Sequence, residues 1–202
     1  MSQEVVRLNA DRFIAAALEH LEPLRGKYIY DPIAQDYYRK TEQVDGGYAR
    51  WLRNLLPYLI ATFQLPQQPR ILDFGCGTGE LTVLMNALGY NAIGIDVHEK
   101  HLELARILAE DNGLPASTFV LSETPAALPF PDGSFDIVTL FVVLEHLSDD
   151  VLRWLLPELR RVCRGVIYVL VPNKLQTRDD HTGLRFVPWL PRSLAAWYIR
   201  RR

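Results

Sequence analysis

The sequence predicts an α/β fold, a doubly wound and mostly parallel sheet with helices on both faces, and three observations carry that prediction. From residue 70 onward, short apolar β-rich runs alternate with amphipathic helical runs. The first of those strands leads directly into a glycine-rich turn, Gly75 to Gly79. Polar residues and glycines then end strands one, two and four at one edge, where open parallel sheets bind their ligands.

The elements follow in order. Asp11 is expected to cap a first helix whose apolar residues Phe13, Ile14, Ala17, Leu18 and Leu21 recur at helical spacing. Gly26 and Pro32 bound a loop at 27–31. A second helix is expected over 47–63, with Tyr48, Trp51, Leu52, Leu55, Leu56 and Leu59 on one broad face. Pro57 inside it predicts a kink or a break. Two prolines in 64–69 mark a link, so the chain divides into a helical cap or lid at 1–68 and a core at 69–202.

Within the core, strands are expected at 70–74, 91–96, 119–121, 135–141 and 166–171. Helices are expected at 81–88, closed by Gly89, at 100–110, closed by Asn112 and Gly113, and at 151–162. After strand five, residues 181–197 read as a loop and helix interrupted by Pro188 and Pro191.

Composition bounds the function classes. At 202 residues, 49% hydrophobic and 23% charged, the chain reads as one ordinary globular domain with a small appended element. Its formal net charge of -2 recommends no polyanion, so no nucleic-acid partner is expected. Arg200, Arg201 and Arg202 read as a solvated tail. Two cysteines, Cys76 and Cys163, cannot build a disulfide framework or a cysteine zinc site. No membrane span is expected, because the longest uncharged apolar run, 166–172, is too short. A polar N-terminus without a signal-type apolar stretch completes the expectation of a reduced, cytoplasmic protein.

The chemistry begins at Asp73-Phe74-Gly75-Cys76-Gly77-Thr78-Gly79. A strand-to-helix turn that passes close to a ligand needs residues without a Cβ, which also tolerate positive φ. This stretch resembles the first motif of the class I S-adenosylmethionine (SAM)-dependent methyltransferases, an acid followed by G-x-G-x-G, at every defined position. The resemblance implies a Rossmann-like sheet of that family, with SAM as cofactor. It implies that the loop lies under the methionine part of SAM and that Asp73 orients the loop and reaches the amino group. Cys76, between two glycines, reads as small and close-packed rather than as a nucleophile.

Asp96 ends strand two, and a carboxylate there can accept both hydroxyls of a ribose, each charged bond contributing about 1.5–3 kcal/mol. The resemblance assigns it the adenosine ribose and assigns Val97 to packing against adenine. The segment from Leu128 to Val138, LPFPDGSFDIV, resembles the stretch before strand four in the small-molecule branch of the family. Its Pro-Asp-Gly makes a turn, and Phe130 and Phe135 can pack the strand that follows. The family places an acid a few residues earlier, on the adenine amino group. An ungapped match puts Thr124 there, and Glu123 fits with one residue inserted.

Val143-Leu144-Glu145-His146-Leu147 matches the family's V-L-E-H-L after strand four, which puts Glu145 and His146 at the floor of the site. His146 is a candidate general base, or a hydrogen-bonded group that shapes the cofactor pocket. Strand five ends in Val171-Pro172-Asn173, again the family's pattern, with Asn173 facing the acceptor. His98 and His101 can meet on one helix face, with no further metal ligand evident, and Asp179-Asp180-His181 reads as a solvated loop. Tyr28, Tyr30, Tyr37 and Tyr38 fit either core packing or a lid over the cofactor.

The expected activity is methyl transfer by direct SN2 attack to a small-molecule acceptor: a metabolite, lipid precursor or sugar. A SAM-binding regulator or subunit without transfer activity is the alternative. A nicotinamide oxidoreductase is less consistent, because G-x-G-x-x-G counted from Gly75 needs glycine where Glu80 stands. Two departures from the family stand out. Only Arg164-Gly165 occupies the place of a longer turn before strand five, and no sixth or seventh strand is legible after it. The expectation is therefore a fragment of a longer protein or a sheet open at that edge, monomeric or homodimeric.

Overall fold

The computed structural model describes residues 7–24, 48–123, 127–171, 173, 175, 177, 178 and 184–201. The sheet holds β1 (Arg70–Phe74), β2 (Asn91–Asp96), β3 (Phe119–Leu121), β4 (Phe135–Phe141) and β5 (Cys163–Leu170). They lie in the order β3-β2-β1-β4-β5, and every neighbouring pair is parallel. The helices are α1 (Asp11–Leu21), α2 (Tyr48–Thr62), α3 (Glu80–Ala87), α4 (Glu99–Asp111), α5 (Asp149–Val162) and α6 (Arg192–Arg200). This is the doubly wound arrangement predicted. The chain runs outward from β1 through β2 to β3, then returns to place β4 on the other side of β1. The reversal leaves a crevice at the carboxyl ends of β1 and β4.

Side-chain alternation along the strands feeds two cores. Ile71, Ala92 and Ile137 face a cluster with Leu52, Leu56 and Leu59 of α2, Val83 and Leu84 of α3, and Leu102 and Leu108 of α4. Phe13 and Ala17 of α1 join the same cluster. Leu72, Phe74, Ile95, Val138 and Leu140 face the opposite cluster, closed by Leu155, Leu159 and Val162 of α5. Helices therefore cover both faces, and α1 and α2 share the core of the first.

Three expectations need correction. Asp11 is not the cap of α1: Ala10 holds that place without a side-chain bond. Asp11 sits in the first turn, where its charge still complements the helix dipole. Pro57 does not break α2, which runs unbroken from Tyr48 to Thr62. The proline removes one ladder bond at a cost of about 3 kcal/mol, while burial of Leu52, Leu56, Leu59 and Ile60 contributes more than that in total. Finally, β5 starts at Cys163, three residues before the expected start.

The early start of β5 has a local cause. Asp136 at the head of β4 accepts the Arg70 N–H at 2.9 Å and Arg164 Nε at 2.7 Å, tying together the first residues of β1, β4 and β5. Gly165 lets the two backbones close, since a Cβ there would lie 2.3 Å from the Asp136 carbonyl oxygen. The segment before β4 is clamped in turn by α5. Arg161 donates to the carbonyls of Leu128 and Phe130 and to Asp132, while Glu158 accepts the Leu128 N–H. Phe130 and Phe135 meet edge to face at 4.9 Å, as their packing role requires.

Beyond β5 the described chain forms a single antiparallel bridge between Arg178 and Arg185, a short 3-10 turn at Val187–Trp189, and α6. Among the described residues no sixth or seventh strand is present, and β5 is an edge. The loop at 27–31, the four tyrosines before residue 40, Thr124 and residues 179–181 lie outside the described residues.

Gly165→Ala should lower the stability of the chain by about 2–3 kcal/mol, because backbone rather than a flexible side chain must give way. Urea denaturation measures this, and an unchanged midpoint would show that the β4–β5 joint tolerates the methyl group.

Candidate cofactor site

The glycine turn lies at the carboxyl ends of β1 and β2, and each of its glycines is there for a different reason. Gly75, Gly77 and Gly79 all have positive φ, at 72°, 53° and 84°. A Cβ on Gly75 would strike Val143 at 2.6 Å, and one on Gly79 would strike Phe119 and Ala105 at 2.6 and 2.7 Å. Those two are packing glycines. A Cβ on Gly77 would meet nothing within 4 Å, so its face is open to a ligand.

Two carboxyl groups hold the turn. Asp73 is buried, with its Oδ2 accepting from the Thr82 hydroxyl at 2.6 Å and its Oδ1 from the Thr139 hydroxyl at 3.1 Å. Burial pushes its pKa up to about 6, against the lowering effect of the two hydroxyls. Asp96 bridges the next loop: Oδ2 accepts the Gly77 N–H and Oδ1 accepts the His98 N–H, both at 2.9 Å. A carboxylate has about four lone-pair sites, so Asp96 retains capacity for two further donors. The N–H groups of Gly75 and Cys76 both donate to the Ile95 carbonyl, which seats the turn on β2.

The remaining predicted residues group around this turn. Val97 follows Asp96 and is 62% exposed, an apolar side chain beside a polar carboxylate. Ser122 donates its N–H to the Asp96 carbonyl, which brings Glu123, the next residue, to the same edge. Cys76 is partly buried, with Sγ 2.8 Å from where a Cβ on Gly94 would lie, and burial pushes its thiol well above the ordinary range. It is a neutral packing group, as its reading required. Glu145 and His146 lie on the 3-10 turn Leu144–His146, both exposed, directly after the Val143 that covers Gly75. Asn173 is exposed and accepts the Leu175 N–H through its side chain. His98 and His101 meet edge to face at 5.1 Å.

Sequence reasoning missed several participants. Thr82 and Thr139 were read as helix and strand residues, yet they are the partners of Asp73. The signal was a threonine in the otherwise apolar run Ile137 to Phe141. Val142 adopts a φ of 59°, a left-handed conformation that a β-branched residue avoids, and its N–H donates to the Leu170 carbonyl. That strained residue turns the chain from β4 toward the glycine turn. Glu80, buried at the first position of α3, accepts from the Thr78 hydroxyl at 2.8 Å.

Electrostatics narrow the ligand. Asp73, Glu80 and Asp96 surround one small turn, so the site suits a ligand that carries positive charge and hydroxyl donors. A dinucleotide pyrophosphate would lie against the start of α3, where Glu80 stands. An open glycine face, a carboxylate with spare acceptors, and an adjoining exposed valine all fit SAM, which is cationic at both sulfonium and ammonium.

Comparison with known proteins agrees with this geometry. Residues 71–165 match the model of a methyltransferase domain family. The chain is 33% identical over 141 residues to a ubiquinone biosynthesis O-methyltransferase of Dinoroseobacter shibae, covering 68% of this chain and 52% of that one. It is 30% identical over 125 residues to a ubiquinone/menaquinone biosynthesis C-methyltransferase of Xanthomonas campestris, covering 60% of this chain and 48% of the other. The chain thus spans about half the length of the curated relatives it matches. In fold it is similar to the PH0226 protein of Pyrococcus horikoshii, with a TM-score of 0.54 at 24% identity, covering 68% of this chain and 62% of that one. It is also similar to a Methanococcus maripaludis protein with a proposed SAM-dependent methyltransferase assignment, with a TM-score of 0.53 at 18% identity, covering 100% and 76%. Residues 71–165 carry a methyltransferase domain, and the relatives and structural neighbours support a class I SAM-dependent methyltransferase, a family that implies SAM as its cofactor.

The Asp73 environment makes a pH-dependent prediction. Its folded pKa lies above the ordinary value of 3.8, so its contribution to stability is complete below that value and is lost as pH rises through about 6. Asp73→Asn should abolish this decline, leaving the variant more stable than the parent above pH 6 by up to about 3 kcal/mol. Denaturation series across that range measure it, and parallel curves for the two proteins would contradict the assignment.

Proposed function

We propose that the chain transfers a methyl group from SAM to a small-molecule acceptor by direct SN2 attack. The observation that carries the proposal is the open face of Gly77 beside Asp96, whose two oxygens already hold the turn and still have room for a ribose. SAM, when bound, supplies a methyl group already activated by its sulfonium. The chain's task is therefore alignment and exclusion of water, which can lower the barrier by up to about 7–11 kcal/mol in favourable cases.

Each residue then has a place in that task. Asp96 receives the ribose hydroxyls, and Val97 packs against adenine. Glu123, exposed at the same edge, is a partner for the adenine amino group; the ungapped candidate, Thr124, lies outside the described residues. Gly75, Gly77 and Gly79 let the backbone pass beneath the methionine part, and Cys76 fills the space behind it. Asp73, with both oxygens bound by threonine hydroxyls, acts on the ligand by holding the turn. Glu145 and His146 form the floor after β4. The acceptor's nucleophile forms its new bond as the sulfur–methyl bond breaks, and its proton passes to His146 or to water. Of residues 1–68, expected as a helical cap or lid, α1 and α2 share the core of the first sheet face.

The relatives' names support the acceptor class. One set of relatives is named for O-methyl transfer in ubiquinone biosynthesis and another for C-methyl transfer in ubiquinone/menaquinone biosynthesis, so a lipid precursor is the first acceptor to test. A sugar or other metabolite comes after it.

Calorimetric titration should show SAM and S-adenosylhomocysteine binding, with no binding of NAD or NADH. Asp96→Ala should weaken both by about tenfold to a hundredfold through loss of a charged ribose contact. A folded chain that binds neither would sink the proposal. For proton transfer, His146→Ala should reduce kcat on an identified acceptor while leaving S-adenosylhomocysteine affinity unchanged; intact turnover would remove the base role.

A further inference from the structure

We propose that residues 184–201, the turn and helix after β5, form a docking surface for an anionic lipid bilayer. The proposal does not depend on the methyl-transfer reading. Its first support is composition. Residues 184–202 hold five arginines, Arg185, Arg192, Arg200, Arg201 and Arg202, of the chain's 22 basic residues and none of its 24 acidic ones. The rest of the chain, with 17 basic and 24 acidic residues, is therefore acidic overall, whereas this segment carries positive charge alone.

The second support is exposed apolar surface of a particular kind. Phe186, Trp189, Leu194 and Trp197 are each about half exposed, at 49%, 54%, 52% and 54%. All but Trp189 line a groove of about 370 Å³, together with Arg185, Leu190 and Tyr198. Phe186 is held there at a φ of 66°, a conformation disfavoured for an aromatic residue, with its N–H bonded to the Thr177 carbonyl. Helix α6 packs chiefly on the Val187–Trp189 turn rather than on the sheet. Leu194 and Trp197, three residues apart, share one face of α6. The Arg201 guanidinium sits 4.6 Å above the Trp197 ring, so charge and aromatic surface are presented together.

Charge complementarity selects the occupant. Two copies paired through this segment would set arginine-rich chains against each other with no acid in either. A nucleic acid would extend past the segment onto an acidic body. An anionic bilayer satisfies both features: headgroups receive the arginines, while Trp and Leu enter the boundary between headgroup and acyl chain.

Co-sedimentation of the full chain tests this with vesicles of phosphatidylcholine alone and of equimolar phosphatidylcholine and phosphatidylglycerol. The expected result is partition onto the mixed vesicles, a blue shift of tryptophan emission, and weakening by salt. The double variant R185Q/R201Q should lose roughly thirtyfold in partition, about one kcal/mol for each arginine. Trp197→Ala should lose much of the blue shift, with circular dichroism confirming that both variants fold. Absence of partition overturns the proposal. So does partition that is equal on both vesicles and indifferent to the two arginines. Binding to duplex DNA or RNA, or self-association, without vesicle binding likewise overturns it.

Discussion

A buried carboxyl at the end of β1 organises the site. Asp73 is bonded by Thr82 from α3 and by Thr139 from β4, so one side chain joins the central strand, the helix after it and the strand beyond the reversal. Placing a carboxyl in this position is costly, which is why its pKa rises to about 6. What the cost secures is direction. With the end of β1 held from both sides, the chain must leave through the glycine turn, against Val143 on one flank and against Phe119 and Ala105 on the other. Asp96 adds a second clamp from β2, through the N–H of Gly77.

The consequence is a turn closed by packing everywhere except at Gly77. Two of its glycines exist to let protein approach protein, and the third lets something else approach. Around that opening stand carboxyl groups and no basic side chain from the turn itself. This polarity separates the chain from dinucleotide-binding folds of the same topology, in which the helix start receives a pyrophosphate. It also explains why an acidic residue, Glu80, is tolerated where those folds need glycine. The opposite polarity appears at the far end of the described chain, where arginines and exposed tryptophans share one segment.

Much of this was legible in the residues. The first four strands begin and end where their apolar runs do, because each run is bounded by a turn former or a polar residue. The glycine turn, Asp96 and the segment before β4 were legible because their spacing is dictated by local backbone needs. What escaped depends on partners distant in sequence. Thr82 and Thr139 are nine and 66 residues from Asp73. The start of β5 is set by Asp136, through Arg164 and the missing Cβ of Gly165. The break that local propensity allows at Pro57 does not occur, because core burial sustains α2. Val142 carries no sequence mark at all: only the need to turn β4 toward Gly75 puts a valine at positive φ.

The most direct test of the central claim is an amide NMR titration of the isotopically labelled chain with S-adenosylhomocysteine. If Gly77 is the open face and Asp96 the shared acceptor, the N–H signals of Gly77 and His98 should shift together at saturation, with those of Gly75, Gly79 and Ser122 close behind. Shifts confined to other regions, with Gly77 and His98 unmoved while the nucleotide binds, would place the ligand elsewhere and contradict the account.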